Sequence, residues 1–235
     1  MGYINFNNAG SSFPEKSTLS IVKKYLENEK KIGGYLAESK YKKEINRFYT
    51  QLSKLINSKV TEISFLQSST HALNFFINSI NFSKNENVII FDNEYGSNFL
   101  NLLNKKINHK VCNLEQNGQV SLTDLQRKID KNTKMIFLCH IASQCGDLIN
   151  VEEVGRLIKK INKNIIFILD ACQSIGQKEI DVKKIKCDIL FGSGRKYLRG
   201  PRGTGFIYLN SSLKNKINPS LLDIKNALIK NNSYK

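Results

Sequence analysis

Asp170 closes the apolar run Ile165-Ile166-Phe167-Ile168-Leu169, and Gln173 follows it three residues later. Lys196 lies 26 residues beyond the aspartate, behind Ser193-Gly194-Arg195 and ahead of Gly200-Pro201-Arg202-Gly203-Thr204-Gly205. A carboxylate and a lysine, each delivered by a strand end, suit pyridoxal phosphate chemistry. The amine can hold the cofactor's aldehyde as a Schiff base, and the carboxylate keeps the pyridine nitrogen protonated so that the ring accepts electrons. Taken singly, both residues have plainer uses. A strand-end Asp commonly forms a turn, and a glycine-flanked Lys is commonly solvated or touches a phosphate. A nucleotide loop is the nearest rival, and its spelling fails: Gly192-Ser193-Gly194-Arg195-Lys196-Tyr197 lacks Gly-Lys-Ser/Thr, and no G-x-G-x-x-G opens a helix after a strand.

These residues need a frame, and the apolar pattern supplies one. Strand-like runs occur at 63–66, 88–91, 110–114, 135–139, 165–169, 188–191 and 205–209. Helical spacing is visible at 15–31, 38–58, 70–80, 97–108, 121–130 and 151–162. Alternating strands and helices with nearly continuous apolar strands predict an α/β fold, a three-layer α-β-α arrangement around a mostly parallel sheet. Ligands of such sheets sit beyond the carboxyl ends of the strands. Ser69, Thr70, Ser143 and Asp170 all fall at those ends.

Composition removes other classes. The chain has 235 residues, 40% of them hydrophobic and 24% charged, as in an ordinary globular protein. No apolar run approaches the ~20 residues that span a bilayer, and MGYINFNNAG has neither the basic start nor the apolar core of a signal peptide. The net charge of +16 invites a nucleic-acid reading. It is set aside, because Lys supplies 30 of the 36 basic residues and is scattered along a chain rich in Asn and Ile. Half of the six arginines, Arg195, Arg199 and Arg202, flank Lys196, which suits a small anion better than a duplex. The five cysteines form no C-x-x-C pair and have no His at zinc spacing, so no metal is expected and a reduced, cytoplasmic protein is. Ordinary packing is the expectation even for Cys145, in a loop. His140 is expected to be a hydrogen-bonded supporting residue.

Ser68-Ser69-Thr70 opens a helix after a strand, where free N–H groups and hydroxyls make a phosphate cradle. Here the sequence resembles the class V aminotransferase group of fold-type I pyridoxal phosphate enzymes, over about residues 4–225. That group includes cysteine desulfurases, selenocysteine lyases, isopenicillin-epimerase-like proteins and aminotransferases. Five elements carry the resemblance in order. Phe65 to Asn74 is similar to F-T-S-G-A-T-E-A-L-N, Glu94-Tyr95-Gly96-Ser97-Asn98 to E-H-x-x-N, and His140 to Gly146 to H-V-S-N-x-x-G. Asp170 to Gln173 is similar to D-x-x-Q, and Ser193 to Lys196 to S-G-H-K. Asn7-Asn8-Ala9-Gly10 further resembles an N-terminal Asn-Ala-Ala/Gly element.

The resemblance implies the roles. Lys196 would carry the cofactor, and Asp170 would pair with the ring nitrogen. Ser69, Thr70, Ser193 and Arg195 would bind the phosphate. Tyr95 would stack on the ring, Ser143 and Gln173 would meet its oxygen, and Asn8 and Ala9 would approach the substrate. Tyr95 stands where the family has a histidine, Ser143 where it has asparagine, and Arg195 where it has histidine. An aromatic ring still stacks, and a guanidinium still grips a phosphate. The implied activity is on an amino acid, with an aminotransferase first, a cysteine desulfurase or C–S lyase as the alternative, and a non-catalytic cofactor-binding subunit as a third reading. The resemblance also implies a homodimer. It implies an N-terminal arm at 1–14, a cofactor domain at 15–212, and, at 213–235, the start of a connection to a C-terminal small domain.

Overall fold

A computed structural model describes residues 3–222, together with a short antiparallel pairing of Ile229–Lys230 with Ser233–Tyr234. Three helices come first: α1 (Lys16–Ile32), α2 (Gly34–Lys40) and α3 (Lys42–Leu55). The helix expected at 38–58 is thus two, divided at Tyr41. The strands are β1 (Ile63–Leu66), β2 (Asn87–Phe91), β3 (Asn108–Cys112), β4 (Thr133–Cys139), β5 (Ile166–Asp170), β6 (Ile189–Ser193) and β7 (Gly205–Leu209). Between them lie α4 (Ser69–Asn78), α5 (Gly96–Asn104), α6 (Leu122–Lys128), α7 (Val151–Ile161) and a single turn, α8 (Val182–Ile185). A 3₁₀ segment at Ser211–Lys216 follows, so the expected connection from 213 begins in helix and its residues from 223 onward lie outside the described residues, the short strand pairing apart.

The seven strands form one sheet in the order β1-β7-β6-β5-β4-β2-β3. β2 to β6 are parallel, and β7 runs antiparallel to both its neighbours, β6 and β1. Two sheet faces with helices on each follow from the period of two along a strand. Val88 and Ile90 of β2 and Ile166 and Ile168 of β5 pack with α4, around Leu73 and Phe76. Their neighbours Ile89, Phe91, Phe167 and Leu169 pack on the opposite face with Leu125 of α6 and Val154 of α7. Every residue of β2, β5 and β6 is buried, which is why those strands read as unbroken apolar runs.

Helix α7 shows how local sequence sets an element. Val151, Val154, Gly155 and Ile158 recur at i, i+3, i+4 and i+7, and all are buried. Asn150 caps the start by accepting from the Glu153 N–H, Glu152 and Glu153 fill the first turn, and Lys159 and Lys160 the last, matching the helix dipole. Among the described residues no helix is long and apolar enough to cross a membrane.

The path β2 to β3 to β4 reverses direction across the sheet, so β2 and β4 are neighbours at the switch. A crevice forms at such a point, beyond the carboxyl ends of the strands. Cys139, Asp170 and Ser193 end β4, β5 and β6 on that edge. Gly205 begins the antiparallel β7 at the same edge, opposite Ser193 and Leu66.

Candidate active site

A cavity of about 250 Å³ opens at this edge, and Ser69, Thr70, Tyr95, Ser143, Asp170, Gln173, Arg195 and Lys196 line it. Ser193 stands directly behind: its Oγ lies 2.9 Å from Ser69 Oγ. Nine of the eleven residues singled out in the sequence therefore meet in one place. Asn8 and Ala9 do not line it. Asn8 Oδ1 instead accepts from Asn5 Nδ2 at 2.9 Å, and Ala9 reaches the site through its backbone carbonyl, which accepts from Gln173 Nε2 at 3.2 Å.

Lys196 is carried on the turn between β6 and β7. Gly194 N–H donates to Thr204 O at 2.8 Å, Arg199 N–H to Lys196 O at 3.0 Å, and Gly200 N–H to Gly194 O at 2.8 Å. The lysine is 7% exposed, and its Nζ sits 5.8 Å from the Tyr95 ring centroid. The N-terminal arm holds the same turn from outside. The Ser12 hydroxyl donates to the carbonyl of Lys196, and the Ser12 N–H to the carbonyl of Arg195 at 3.0 Å. Arg199 pairs with Glu15 and donates to Phe13 O.

Asp170 is buried at the cavity floor with one donor on each oxygen, which leaves acceptor capacity towards the cavity. Its Oδ1 accepts from the Cys172 N–H at 2.8 Å, and its Oδ2 from Asn98 Nδ2 at 3.0 Å. Burial and the Asp170 charge push the Cys172 thiol up to about 12, so this cysteine is an uncharged wall of the cavity and not a nucleophile. Glu94, Cys139 and Asp170 each bring a donor atom within 4.8 Å of the others, a spacing that could hold a metal. The amide of Asn98 occupies that seat as a hydrogen-bond donor, 2.8 Å from Glu94 Oε1, which opposes a cation there.

The end of the cavity where an anion is expected is built on α4. Ser68 caps the helix by accepting from the His71 N–H at 3.1 Å, leaving Ser69 and Thr70 in its first turn. Gly205 permits this packing. A Cβ there would lie 2.7 Å from the Ser68 backbone, so only glycine lets the loop sit against β7. Arg195 and Arg202 line the same cavity with Thr204.

Pyridoxal phosphate fits this arrangement on three observations. A lysine and a carboxylate face one cavity, hydroxyls and arginines cluster at a helix N-terminus, and the buried Gln173 Oε1 has no partner among the described residues, leaving an amide available to a ring substituent.

Sequence reasoning gave no role to three contributors. Asn98 and Ser12 act across 72 and 184 residues; Asn98 is marked locally only as the last residue of the Glu94–Asn98 element, and Ser12 by nothing. Arg202 was noticed only as part of the arginine cluster. Two further expectations change. Cys145 is exposed, because its loop leaves the sheet edge with Gly146 turning at φ 80°, so it is not packed. His140 is buried, yet its Nδ1 has no hydrogen-bond partner among the described residues.

The pattern of the aminotransferase class-V family matches residues 3–227. A probable cysteine desulfurase of Pyrococcus abyssi is 29% identical over 93% of this chain and 56% of its own length. A putative cysteine desulfurase of Plasmodium berghei is 33% identical over 93% of this chain and 44% of its own. The chain spans about half the length of these curated relatives. Among solved structures, a cysteine desulfurase from Thermococcus onnurineus NA1 superposes with a TM-score of 0.84 at 24% identity, over 98% of this chain and 59% of that one. A C-DES mutant with glycine covalently linked to the pyridoxal phosphate cofactor gives 0.89 at 16% identity, over 96% and 61%. At these identities the structures establish the fold, the large domain of the fold-type I pyridoxal phosphate enzymes. With matched residues running from the N-terminal arm past β7, the chain belongs to the aminotransferase class-V family.

Proposed function

We propose that this chain is the cofactor-binding part of a pyridoxal phosphate enzyme that acts on an amino acid, with cleavage of the C–S bond of cysteine placed ahead of aminotransfer. The observation that carries the cofactor reading is the shared cavity of Lys196 and Asp170, with the Ser69–Ser193 hydroxyl pair at its anion end. The preference for C–S cleavage rests on the curated relatives, which bear the name cysteine desulfurase.

When bound, the cofactor supplies a sink for the electrons left as a bond to the substrate's α-carbon breaks. The side chains supply the rest. Lys196 offers the amine that bonds the aldehyde. At the cavity wall the same amine would be the group able to take and return an α-proton. Asp170, on the cavity floor, is the carboxyl group that would face the ring nitrogen. Tyr95 covers one side of the cavity, and Ser69, Thr70, Ser193 and Arg195 offer donors to the phosphate. Lys196 is buried at the cavity wall, which limits the directions its amine can take.

The test is direct. The purified chain, mixed with pyridoxal phosphate, is expected to gain a visible absorption band that borohydride fixes onto Lys196. A band that persists unchanged in Lys196→Ala overturns the assignment. Release of alanine and sulfur from cysteine, against amino-group transfer to a keto acid, then separates the two reactions, assayed with the full-length protein if a longer chain exists.

A further inference from the structure

Beneath Asp170 lies a second carboxyl group, and one amide joins the two. Asn98, in the first turn of α5, is 4% exposed. Its Nδ2 donates to Asp170 Oδ2 at 3.0 Å and to Glu94 Oε1 at 2.8 Å. A side-chain amide nitrogen has two protons, so both are used, one on each carboxyl. Glu94 Oε1 further accepts from the Tyr95 N–H at 2.9 Å and lies 3.2 Å from the Cys139 thiol. Glu94 is only partly buried as a residue, but its Oε2 is sealed from solvent and has no partner among the described residues.

Two carboxylates this close cannot both be charged cheaply when both are largely buried. Asp170 has a strong N–H donor on each oxygen and faces the cavity that Lys196 lines. Glu94 has one oxygen without a donor and no ion pair among the described residues. Of the two, Glu94 is therefore the one that holds a proton. Burial, with the charge of Asp170 adding to it, pushes Glu94 up to about 7. The titratable and charged groups around the pair include Cys139, against Glu94, and Tyr95, Cys172, Arg195, Lys196 and Arg202, which line the cavity with Asp170. The two thiols are held uncharged by burial.

Resting on the cofactor reading above, we propose that Asn98 is a positioning residue that pins Asp170 in the cavity floor by tying it to Glu94, and that Glu94 is the proton-bearing partner that leaves a single negative charge for the ring nitrogen. Asn98 touches neither cofactor nor substrate in this scheme. It acts through Asp170.

Three readouts on the full chain test it: pyridoxal phosphate affinity by absorption titration, the pH midpoint of the visible band, and the infrared carboxylic acid C=O stretch of the cofactor-free protein. Asn98→Ala frees one oxygen of Asp170 and is expected to weaken cofactor binding on the order of tenfold, since a hydrogen bond to a charged group is at stake, and to move the pH midpoint. Glu94→Gln removes a proton carrier but no charge. It is expected to hold affinity within about threefold, less than the ~1.4 kcal/mol of a tenfold change, and to abolish the carboxylic acid band of the wild type. Asn98→Ser, which can donate to only one carboxyl, gives the same comparison if Asn98→Ala does not fold. Wild-type affinity and midpoint in the folded Asn98 variants overturn the positioning role. Absence of the carboxylic acid band in the wild type, or a Glu94→Gln midpoint shift as large as that of Asn98→Ala, overturns the role of Glu94. A wild-type chain with no visible band defeats the cofactor reading instead, while the infrared measurement still decides where the proton sits.

Discussion

Ser12 donates its hydroxyl to the carbonyl oxygen of Lys196, 184 residues further along the chain. With the Ser12 N–H bonded to the Arg195 carbonyl, two consecutive carbonyls of the lysine turn are fastened to the N-terminal arm. Both bonds are backbone-directed, so they fix where the turn lies without touching the lysine amine.

Ser12→Ala keeps the N–H bond and removes the hydroxyl one. A net hydrogen bond is worth about 1 kcal/mol, so pyridoxal phosphate affinity is expected to fall on the order of fivefold. Borohydride trapping on Lys196 should still go to completion at saturating cofactor, because the amine is intact. Loss of trapping at saturation would show that the arm governs chemistry and not only placement.

Gly155 decides a contest between two effects. Alanine is favoured over glycine inside a helix by about 1 kcal/mol. A Cβ at Gly155 would, however, lie 1.8 Å from the carbonyl oxygen of Ile185, where α7 meets α8. That atom is backbone and cannot turn aside, so overpacking wins. Gly155→Ala is expected to destabilise by roughly 1–3 kcal/mol net, read as a lower urea midpoint with an unchanged slope. A raised midpoint would mean that α8 moves freely.

His140 carries a pH dependence whose sign can be worked out. Burial first, and then the nearby Lys178 charge, lower it from 6.5 to about 4. A group with a lowered folded value stays neutral in the fold while the unfolded chain takes up a proton. Its contribution to stability is therefore present above pH 6.5 and is lost as pH falls towards 4. At about 1.4 kcal/mol per unit, the loss is on the order of 3 kcal/mol. His140→Gln, with no titration, is expected to flatten this limb of the urea midpoint against pH. Parallel wild-type and variant curves would place the acid sensitivity elsewhere.

The outcome of sequence reasoning divides along the range of the interactions. β7 was located residue for residue and α7 to within a residue, because an apolar strand and a 3-4 spaced helix are local patterns. β3 was placed two residues late. Its register is set by pairing Asn108–Cys112 with Asn87–Phe91, and three of its five residues, Asn108, His109 and Lys110, are polar or charged. The outermost strand β1 pairs with β7 across more than a hundred residues, which no periodicity reveals. The site follows the same rule. Ser69, Tyr95, Asp170 and Lys196 stand at element ends that can be read directly. Asn98 was visible only as part of the E-x-x-x-N spelling, and as the residue before Phe99 it looks like an ordinary helix-start polar residue. Its importance appears only when Asp170 is brought beneath it.

The Ser69–Ser193 pair allows the anion end to be tested apart from the lysine. The two hydroxyls are 2.9 Å apart and bond each other across 124 residues, one on α4 and one at the end of β6. A phosphate would take donors from both, replacing one neutral bond by charge-assisted ones, each worth about 1.5–3 kcal/mol. Ser69→Ala and Ser193→Ala are each expected to weaken pyridoxal phosphate binding by roughly 10-fold or more. Binding of pyridoxal, which lacks the phosphate, should change less than about twofold, well under the 1.4 kcal/mol of a tenfold effect. In the double variant the losses should fall short of the product of the single ones, because each single change also leaves the other hydroxyl without its partner. Equal losses for pyridoxal and its phosphate would show that the pair shapes the cavity as a whole, and would move the phosphate site towards Arg195 and Arg202.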